Sequence, residues 1–155
     1  MTKNFFGKFY EDFKVGDQFD HWPGKTVFES DNNLFSLLTM NHHPAHIDRE
    51  YAKKKIKYKK NLVVGTYTFS LIVGLTVPDI SGKAIANLNY ENINHEGPVF
   101  IGDTLYAKSK IISKKLTSNK KTGKVKIKTK GFNQNKEVIL SYAREILVPL
   151  KKFTK

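Results

Sequence analysis

One segment in the middle of the chain is almost uninterruptedly apolar, and it constrains the fold more than any other feature. Between residues 62 and 77, only Thr, Tyr, Ser and Gly interrupt the aliphatic and Phe residues. Within this segment, Gly65 and Thr66 open a helix that we predict over residues 67–75, and residues 78–82 (PDISG) end it. A helix that is apolar on all sides is normally buried. The segment is also shorter than the about 20 apolar residues that a membrane span needs. We therefore expect a buried central helix.

From residue 84 onward, the pattern changes to β-strands. Apolar residues alternate over residues 84–90 and again over residues 104–113, with a break at Gly97-Pro98 between them. Over residues 124–130, Val125, Ile127 and Thr129 interleave with lysines, as is typical of an antiparallel strand with one buried and one solvated face. Residues 120–123 (KKTG) and 133–135 (NQN) predict hairpin turns, and residues 138–148 predict a long final strand.

This order of elements predicts an α+β roll, in which one long helix lies against a mostly antiparallel sheet. The chain of 155 residues contains no repeat or linker, so we expect a single domain over residues 1–155. A single helix cannot cover both faces of the sheet. We therefore expect a second copy of the chain to complete the packing, as a homodimer or a higher oligomer.

The amino-terminal part predicts two short strands and a helix. Residues 17–22 and 25–29 alternate on either side of a turn at Pro23-Gly24. Ser30 is a suitable N-cap for a helix whose apolar stripe consists of Leu34, Phe35, Leu37 and Leu38. Pro44 cannot continue that helix, because it lacks an N–H and forces His43 out of the α region. Residues 41–48 are therefore expected to form a turn, and the lysine-rich residues 51–60 a solvated helix or loop.

Composition narrows the classes of function. The chain has no cysteine, which excludes disulfides, thiolate catalysis and Cys-ligated metal sites. The first residues lack the apolar run of a signal peptide, and we expect a soluble cytoplasmic protein. The net charge of +13 arises from 27 basic residues, of which only Arg49 and Arg144 are arginines. Because nucleic-acid recognition favours arginine, a solvated lysine surface or an anionic small molecule explains the charge better than DNA or RNA does.

Two motifs resemble a known family. Residues 35–48 (FSLLTMNHHPAHID), followed by Tyr51-Ala52, are similar to the hydratase motif of MaoC-like dehydratases, the (R)-specific enoyl-CoA hydratases. Residues 98–105 (PVFIGDTL) resemble the second hallmark of that family, and the likeness extends from about Phe9 to Val148. The resemblance implies a dimerising hot-dog fold in which an antiparallel sheet wraps around a long central helix.

Shorter stretches resemble one branch of the family. Residues 77–81 (VPDIS), 86–88 (ANL) and 129–134 (TKGFNQ) are similar to the enzymes that hydrate branched five-carbon acyl-CoAs, the mesaconyl-CoA hydratase (β-methylmalyl-CoA dehydratase) and itaconyl-CoA hydratase type. The resemblance implies reversible hydration of a short enoyl-CoA, with coenzyme A as part of the substrate and no further cofactor. A hot-dog thioesterase and a noncatalytic binder of acyl-CoA or nucleic acid remain alternatives.

The resemblance also implies site residues. His46 occupies the position of the family's catalytic histidine, and Asn41 occupies the position where most members have an aspartate. An imidazole can exchange protons at neutral pH, whereas an amide cannot act as a general base and can only orient water or substrate. Backbone N–H groups at Gly65 and Thr66 are expected to bind the thioester oxygen, although Val64-Gly65 replaces the family's more frequent His-Gly.

Neighbouring polar residues are weaker candidates. We expect His42, His43, Asp48 and Arg49 to line the substrate pocket, and the lysines of residues 53–60 to attract the phosphates of coenzyme A. His42 and His46 have the i, i+4 spacing of a helical zinc pair, but Pro44 between them argues against a metal site. Asp103 is expected to stabilise the tight turn of the second motif by accepting backbone N–H bonds.

Overall fold

The computed structural model describes residues 6–153. Its strands are β1 (Gln18–Thr26), β2 (Ala86–His95), β3 (Thr104–Leu116), β4 (Thr122–Phe132) and β5 (Val138–Pro149), and its helices are α1 (Glu29–Leu38), α2 (Pro44–Ile47), α3 (Arg49–Lys55) and α4 (Gly65–Leu75). Short 3-10 turns lie at Tyr10–Asp12 and Lys151–Phe153, and a π-helical turn, Val77–Ser81, follows α4.

The five strands form one antiparallel sheet in the order β1-β3-β4-β5-β2. The lysine-interleaved strand is the central strand, β4. Its residues Val125, Ile127 and Thr129 are fully buried on one face of the sheet. The lysines between them point to the opposite face, since successive side chains of a strand alternate. The predicted α+β class, the helix over 67–75, the hairpin turns and the strands of the second half are confirmed.

Helix α4 packs closely against the middle of the sheet. Ile72 is fully buried, and a Cβ atom added to Gly131 of β4 would lie 2.8 Å from its Cδ1 atom. The glycine therefore allows the helix to approach the sheet more closely than a larger residue would. Around this contact lies a core cluster to which both neighbouring strands contribute, including Leu105, Ile139 and Leu140. A second cluster surrounds Phe13 and Ile80.

The chain by itself covers only one side of α4. Thr68 and Ile72 are the buried residues of this helix, whereas Tyr67, Phe69, Leu71 and others are only partly buried. The expectation of a fully buried central helix is therefore met only in part within one copy of the chain.

Among residues 6–153, no helix combines the length and the apolar character that a membrane crossing requires.

Strand β1 differs from the prediction of two strands separated by a turn. It runs without interruption through Pro23 and Gly24, with an irregular register against β3 between His21 and Lys25 and a cis Trp22–Pro23 peptide bond. Because β1 is an edge strand, the missing N–H of Pro23 does not have to remove a ladder hydrogen bond. The sequence pattern could not show that this strand lies at an edge.

Helix α1 buries a polar face and exposes most of the apolar stripe that was expected to face the core. Its buried residues are Asn32 and Ser36, whereas Leu34, Leu37 and Leu38 are 58%, 56% and 75% exposed. The helix also begins one residue before Ser30, with Phe28 as the N-cap residue, whose N–H donates to the Asp31 carboxylate at 3.0 Å. Asn32 faces inward because its side chain hydrogen bonds to the His46 carbonyl and the Val64 N–H.

The predicted turn over residues 41–48 contains one turn of helix. Helix α1 ends at Leu38, before the histidines, and Pro44 starts α2 as its first residue. At this position a proline needs no N–H and its fixed φ suits the helix. The prediction of a purely non-helical turn was wrong for this reason. Helix α3, which follows at once, confirms a solvated helix at the start of the lysine-rich segment.

A buried polar chain links β1, β3 and β4 beneath the sheet. The His21 imidazole is hydrogen bonded to the Asp79 carboxylate through Nδ1 and to the Ser109 hydroxyl through Nε2, both at 2.8 Å. Ser109 in turn contacts the Thr129 hydroxyl at 2.8 Å. Burial lowers the pKa of His21 below its ordinary value of 6.5, and the bond to Asp79 offsets this effect only in part.

We predict that truncating the helix–sheet contact destabilises the fold. Ile72→Ala should lower the free energy of unfolding by about 2–5 kcal/mol, because it leaves a cavity against Gly131 that the close-packed core cannot fill. Urea unfolding followed by circular dichroism measures this change. Val15→Ala, at a position that is 61% exposed, is the control and should change stability by less than about 0.5 kcal/mol. Equal effects of the two substitutions would contradict the central position of Ile72.

We also predict a pH dependence of stability that originates at His21. Since the pKa of His21 is lowered in the folded state, the unfolded chain takes up the proton more readily, and the stability due to neutral His21 is lost as the pH falls below 6.5. Urea unfolding at pH 7.5, 6.5 and 5.5 should show this loss in the wild type. The loss should be smaller in His21→Gln, which cannot titrate. Identical pH slopes for the two proteins would refute the prediction.

Candidate active site

The segment between α1 and α3 is shaped by local hydrogen bonds. The Thr39 hydroxyl donates to the Phe35 carbonyl at 2.7 Å at the end of α1, and Met40 then adopts a left-handed φ of 57° that reverses the chain. The Asn41 N–H returns to the Ser36 carbonyl at 3.0 Å. Asn41 is thereby placed at the exit of the reversal, where its side chain is half-buried.

Asn32 joins this segment to the start of α4. Its Nδ2 group donates to the His46 carbonyl at 3.0 Å, and its Oδ1 atom accepts the Val64 N–H at 2.9 Å. The residue is only 1% exposed, so both bonds are formed away from solvent. A buried amide thus sets the position of His46 relative to the first turn of the central helix.

A second buried amide supports the same segment. Asn61 donates through Nδ2 to the Ala45 carbonyl at 3.1 Å and to the Asp48 carbonyl at 3.2 Å. The Leu62 N–H also donates to the Ala45 carbonyl, at 3.1 Å. Two buried amides, Asn32 and Asn61, therefore bind backbone carbonyls of α2 and its C-cap, in addition to the burial of Ala45.

The His46 ring has one defined partner. Its Nδ1 atom lies 2.9 Å from the Leu62 carbonyl oxygen, which can only accept, so Nδ1 carries the hydrogen. In the neutral ring, the other nitrogen, Nε2, then has the lone pair. This bond leaves His46 oriented as a base whose reactive atom is Nε2.

His46 lines a cavity of about 430 Å³ at the start of α4. The wall is formed by residues from two further segments, and it includes Gly65 and Thr68 of α4 and His95 at the end of β2. Apolar residues such as Val63, Pro98 and Val99 complete the wall. The cavity therefore combines a base, a helix amino terminus and an apolar lining.

The first N–H groups of α4 are available to a ligand. Asn32 already takes the Val64 N–H, and the N–H groups of Gly65 and Thr66 in the first turn have no intrahelical acceptor. A helix amino terminus carries a partial positive charge that favours developing negative charge. This end of α4 is therefore suited to hold a carbonyl oxygen that becomes more negative during a reaction.

The remaining predicted residues lie around the cavity but not in its wall. His43 caps α2, because its Nδ1 atom accepts the Ala45 N–H at 3.2 Å, and its ring contacts that of His46 edge-on with centroids 5.9 Å apart. Asp48 caps α3 by accepting the Tyr51 N–H at 2.8 Å. His42 and Thr66 are exposed. Within residues 6–153, no cluster of three or more His, Asp or Glu side chains could hold a metal ion.

Arg49 is paired away from the cavity. Its guanidinium forms a two-point contact with the Glu29 carboxylate, and both side chains are largely exposed. Together with Lys53, Lys59 and Lys60 these residues border a smaller hollow of about 230 Å³. Lys60 also lies 3.9 Å above the centre of the Phe100 ring. The lysine-rich segment therefore presents several cations next to the site.

The second motif forms the tight turn that was predicted. The Asp103 carboxylate accepts the Phe100 N–H at 2.8 Å and the Gln134 side-chain N–H at 2.9 Å. The structural role expected for Asp103 is confirmed. This turn precedes β3 and brings residues 97–99 to the cavity wall.

His95 and Thr68 were not among the residues predicted for the site. Thr68 falls within the apolar helix pattern, where its hydroxyl bonds to the Val64 carbonyl at 3.3 Å. His95 ends β2 and comes close to α4 only through the pairing of β2 with β5, in which it lies opposite Leu140. No local signal in the sequence could reveal that long-range contact.

The antiparallel sheet packed on one long helix places the protein in the hot-dog class of α+β folds. A Mycobacterium tuberculosis protein described as a double hot-dog fold superposes on 96% of this chain and 46% of its own, with a TM-score of 0.88 at 19% identity. A MaoC domain protein from Chloroflexus aurantiacus superposes on the whole chain and 44% of its own, with a TM-score of 0.92 at 32% identity.

Sequence comparison then defines the family. Residues 12–132 match the MaoC like domain, and the chain belongs to the MaoC-like dehydratase family. It is 37% identical over 142 residues to mesaconyl-CoA hydratase from Cereibacter sphaeroides, and 34% identical over 142 residues to β-methylmalyl-CoA dehydratase from Chloroflexus aurantiacus. Each match covers 92% of this chain, and 41% and 40% of the two relatives. The chain thus spans about two-fifths of the length of these curated relatives.

We predict that Asn32→Leu loosens the site. The substitution leaves the buried Val64 N–H and His46 carbonyl without partners, at a cost of about 1–3 kcal/mol for each group. Urea unfolding measures the loss, and faster hydrogen exchange of the Val64 amide locates it at the start of α4. Asn33→Leu, at the exposed neighbouring position, is the matched control and should change neither quantity. Unchanged exchange at Val64 in Asn32→Leu would contradict this role.

Proposed function

We propose that the protein catalyses the reversible hydration and dehydration of a short, branched five-carbon enoyl-CoA thioester of the mesaconyl-CoA/β-methylmalyl-CoA type. The observation that carries the proposal is the His46 ring, whose Nδ1 atom is bonded to the Leu62 carbonyl while the residue lines the cavity at the start of α4. The names of the two relatives support the substrate type.

The chemistry of water addition requires three groups. A base must take a proton from water as its oxygen attacks Cβ, a proton must reach Cα, and the enolate-like oxygen of the thioester must be stabilised. In the proposed reaction, Nε2 of His46 takes one proton from water as the water oxygen bonds to Cβ, since Nδ1 is engaged. The imidazolium formed in this way then returns the proton to Cα as the enolate reverts to the thioester. The N–H groups of Gly65 and Thr66 stabilise the thioester oxygen at the positive end of α4. Dehydration uses the same groups in reverse.

Asn41 takes the place of the carboxylate that most family members have. An amide cannot remove a proton, but its carbonyl oxygen can accept a hydrogen bond from water and its NH₂ group can donate one to substrate. We propose that Asn41 orients water or substrate beside His46. Because Asn41 does not line the 430 Å³ cavity, this role requires substrate to extend toward the reversal at Met40.

The surrounding polar residues are proposed to act on the substrate's periphery. His42, His43, Asp48 and Arg49 would shape the entrance, where Arg49 is already neutralised by Glu29 and so offers a weaker attraction for a free carboxylate. The cations of the lysine-rich segment are proposed to attract the phosphates of coenzyme A. Water addition to an activated thioester requires neither a redox cofactor nor a metal, and we propose that none takes part.

We further propose that the active form is a homodimer in the cytoplasm, or a larger assembly built from such dimers. The half-covered helix α4 supports a second body against its open side. The curated relatives are more than twice as long as this chain, and the superposing Mycobacterium tuberculosis protein is described as carrying two hot-dog units. A second copy of the chain would supply the corresponding unit here.

We predict that His46→Ala lowers the rate of hydration by about 10²–10⁴, because it removes the general base. The decrease in absorbance of the conjugated thioester, measured with mesaconyl-, itaconyl- and crotonyl-CoA, gives the rate and the preferred acyl group. Lys115→Ala, at an exposed position on β3, should retain full activity.

The same assay distinguishes hydration from hydrolysis of the thioester. Release of free thiol from these substrates, without hydration, would identify a thioesterase instead. Full hydratase activity in His46→Ala would overturn the role of His46, and circular dichroism melting curves of both variants show whether the fold is retained.

A further inference from the structure

His95 places a second imidazole in the same cavity as His46. It lies at the end of β2, is exposed, and forms part of the cavity wall together with Gly65 and Thr68. Within residues 6–153, its ring makes no hydrogen bond. Its neighbour Glu96 is engaged elsewhere, since the Glu96 carboxylate accepts the Ser141 hydroxyl at 2.6 Å. The imidazole of His95 is therefore available to a ligand in the cavity.

The nitrogen-bearing edge of the His95 ring faces the first residue of α4. A Cβ atom added to Gly65 would lie 3.0 Å from Cε1, 3.1 Å from Nε2 and 3.6 Å from Nδ1 of that ring. These distances are so short that any side chain at position 65 would require the ring to move. The glycine therefore does more than start the helix, because its lack of a side chain allows an imidazole to approach the first free N–H groups of α4.

We propose, building on the hydratase function above, that His95 is a catalytic residue that donates an N–H hydrogen bond to the thioester oxygen. The donor acts together with the backbone N–H groups at Gly65 and Thr66. Both protonation states of an imidazole carry at least one N–H, so the role does not depend on the charge of the ring. Two kinds of donor, one from β2 and one from α4, would then converge on a single oxygen atom.

This role fits the chemistry of the site as well as its geometry. Water addition moves electron density onto the thioester oxygen as the new bond forms at Cβ, and that charge is dispersed again when Cα takes up its proton. Donors aimed at such an oxygen stabilise the transition state more than the ground state. Since Asn41 cannot supply the second charged group that a carboxylate would provide, additional stabilisation of the oxygen by His95 lowers the basicity required of His46.

The test compares His95→Phe with His95→Gln. Phe keeps a ring of similar size but no donor, whereas Gln keeps an N–H donor. We expect kcat for the preferred enoyl-CoA to fall by about 10²–10³ in His95→Phe, with a smaller change in KM, because losing one donor of this kind weakens mainly the transition state. His95→Gln should recover a large part of the activity. Asn94→Ala, the preceding residue of β2, is the control and should have the activity of the wild type.

A second measurement does not depend on turnover. The infrared C=O stretch of bound [1-¹³C]butanoyl-CoA, which is saturated and cannot be hydrated, should shift to lower frequency on the wild type and His95→Gln. The shift should be smaller on His95→Phe. A merely structural role of His95 would leave this polarisation unchanged in any variant that still binds the thioester.

The outcomes separate the two proposals. Wild-type hydratase activity combined with normal kcat and normal C=O polarisation in His95→Phe would overturn the role of His95 and leave the proposed function intact. A wild-type protein that binds butanoyl-CoA with a His95-dependent shift but hydrates none of the tested substrates would overturn the function and retain the His95 contact. Absence of thioester binding to the wild type would overturn both.

Discussion

The two hydrogen bonds of Asn32 are the interaction on which the candidate site depends. They connect the carbonyl of His46 with the N–H of Val64, and so place the imidazole segment beside the first turn of α4. Both partners are backbone groups that would otherwise be buried without a bond, which makes the arrangement costly to rearrange. The same requirement explains why α1 turns a polar face inward and exposes Leu34, Leu37 and Leu38. In α1, the need to hydrogen bond buried polar groups outweighs the hydrophobic pattern of the helix.

The position of α4 makes the cavity at its start possible. Gly131 allows Ile72 to pack closely on the sheet, and Gly65 allows the His95 ring to pack closely against the start of the helix. The position of α4 therefore depends on two glycines. Gly131 of the sheet permits close core packing, and Gly65 within the helix leaves room beside its free N–H groups. The other side of α4 remains partly uncovered. A second protein unit could therefore pack against the helix next to the cavity.

Much of the fold was predictable, because its strongest signals are local and periodic. The apolar segment that became α4 and the lysine-interleaved strand that became β4 each carry a pattern that only one kind of element satisfies. The predictions that were wrong concern elements whose structure depends on residues distant in the sequence. Strand β1 continues through Pro23 because it lies at the edge of the sheet. Helix α1 exposes its leucines because Asn32 bonds to the His46 carbonyl and the Val64 N–H, which lie in other segments of the chain.

The sequence alone determined the α+β class, the family resemblance through residues 35–48 and 98–105, and His46 as the histidine that matches the family's motif. It also determined that Asn41 is an amide, since chemical identity needs no coordinates. Only the tertiary structure decided which nitrogen of His46 is free, since that follows from the carbonyl of Leu62, sixteen residues along the chain. Only the tertiary structure brought His95 to Gly65, because pairing between β2 and β5 joins residues that no local pattern relates.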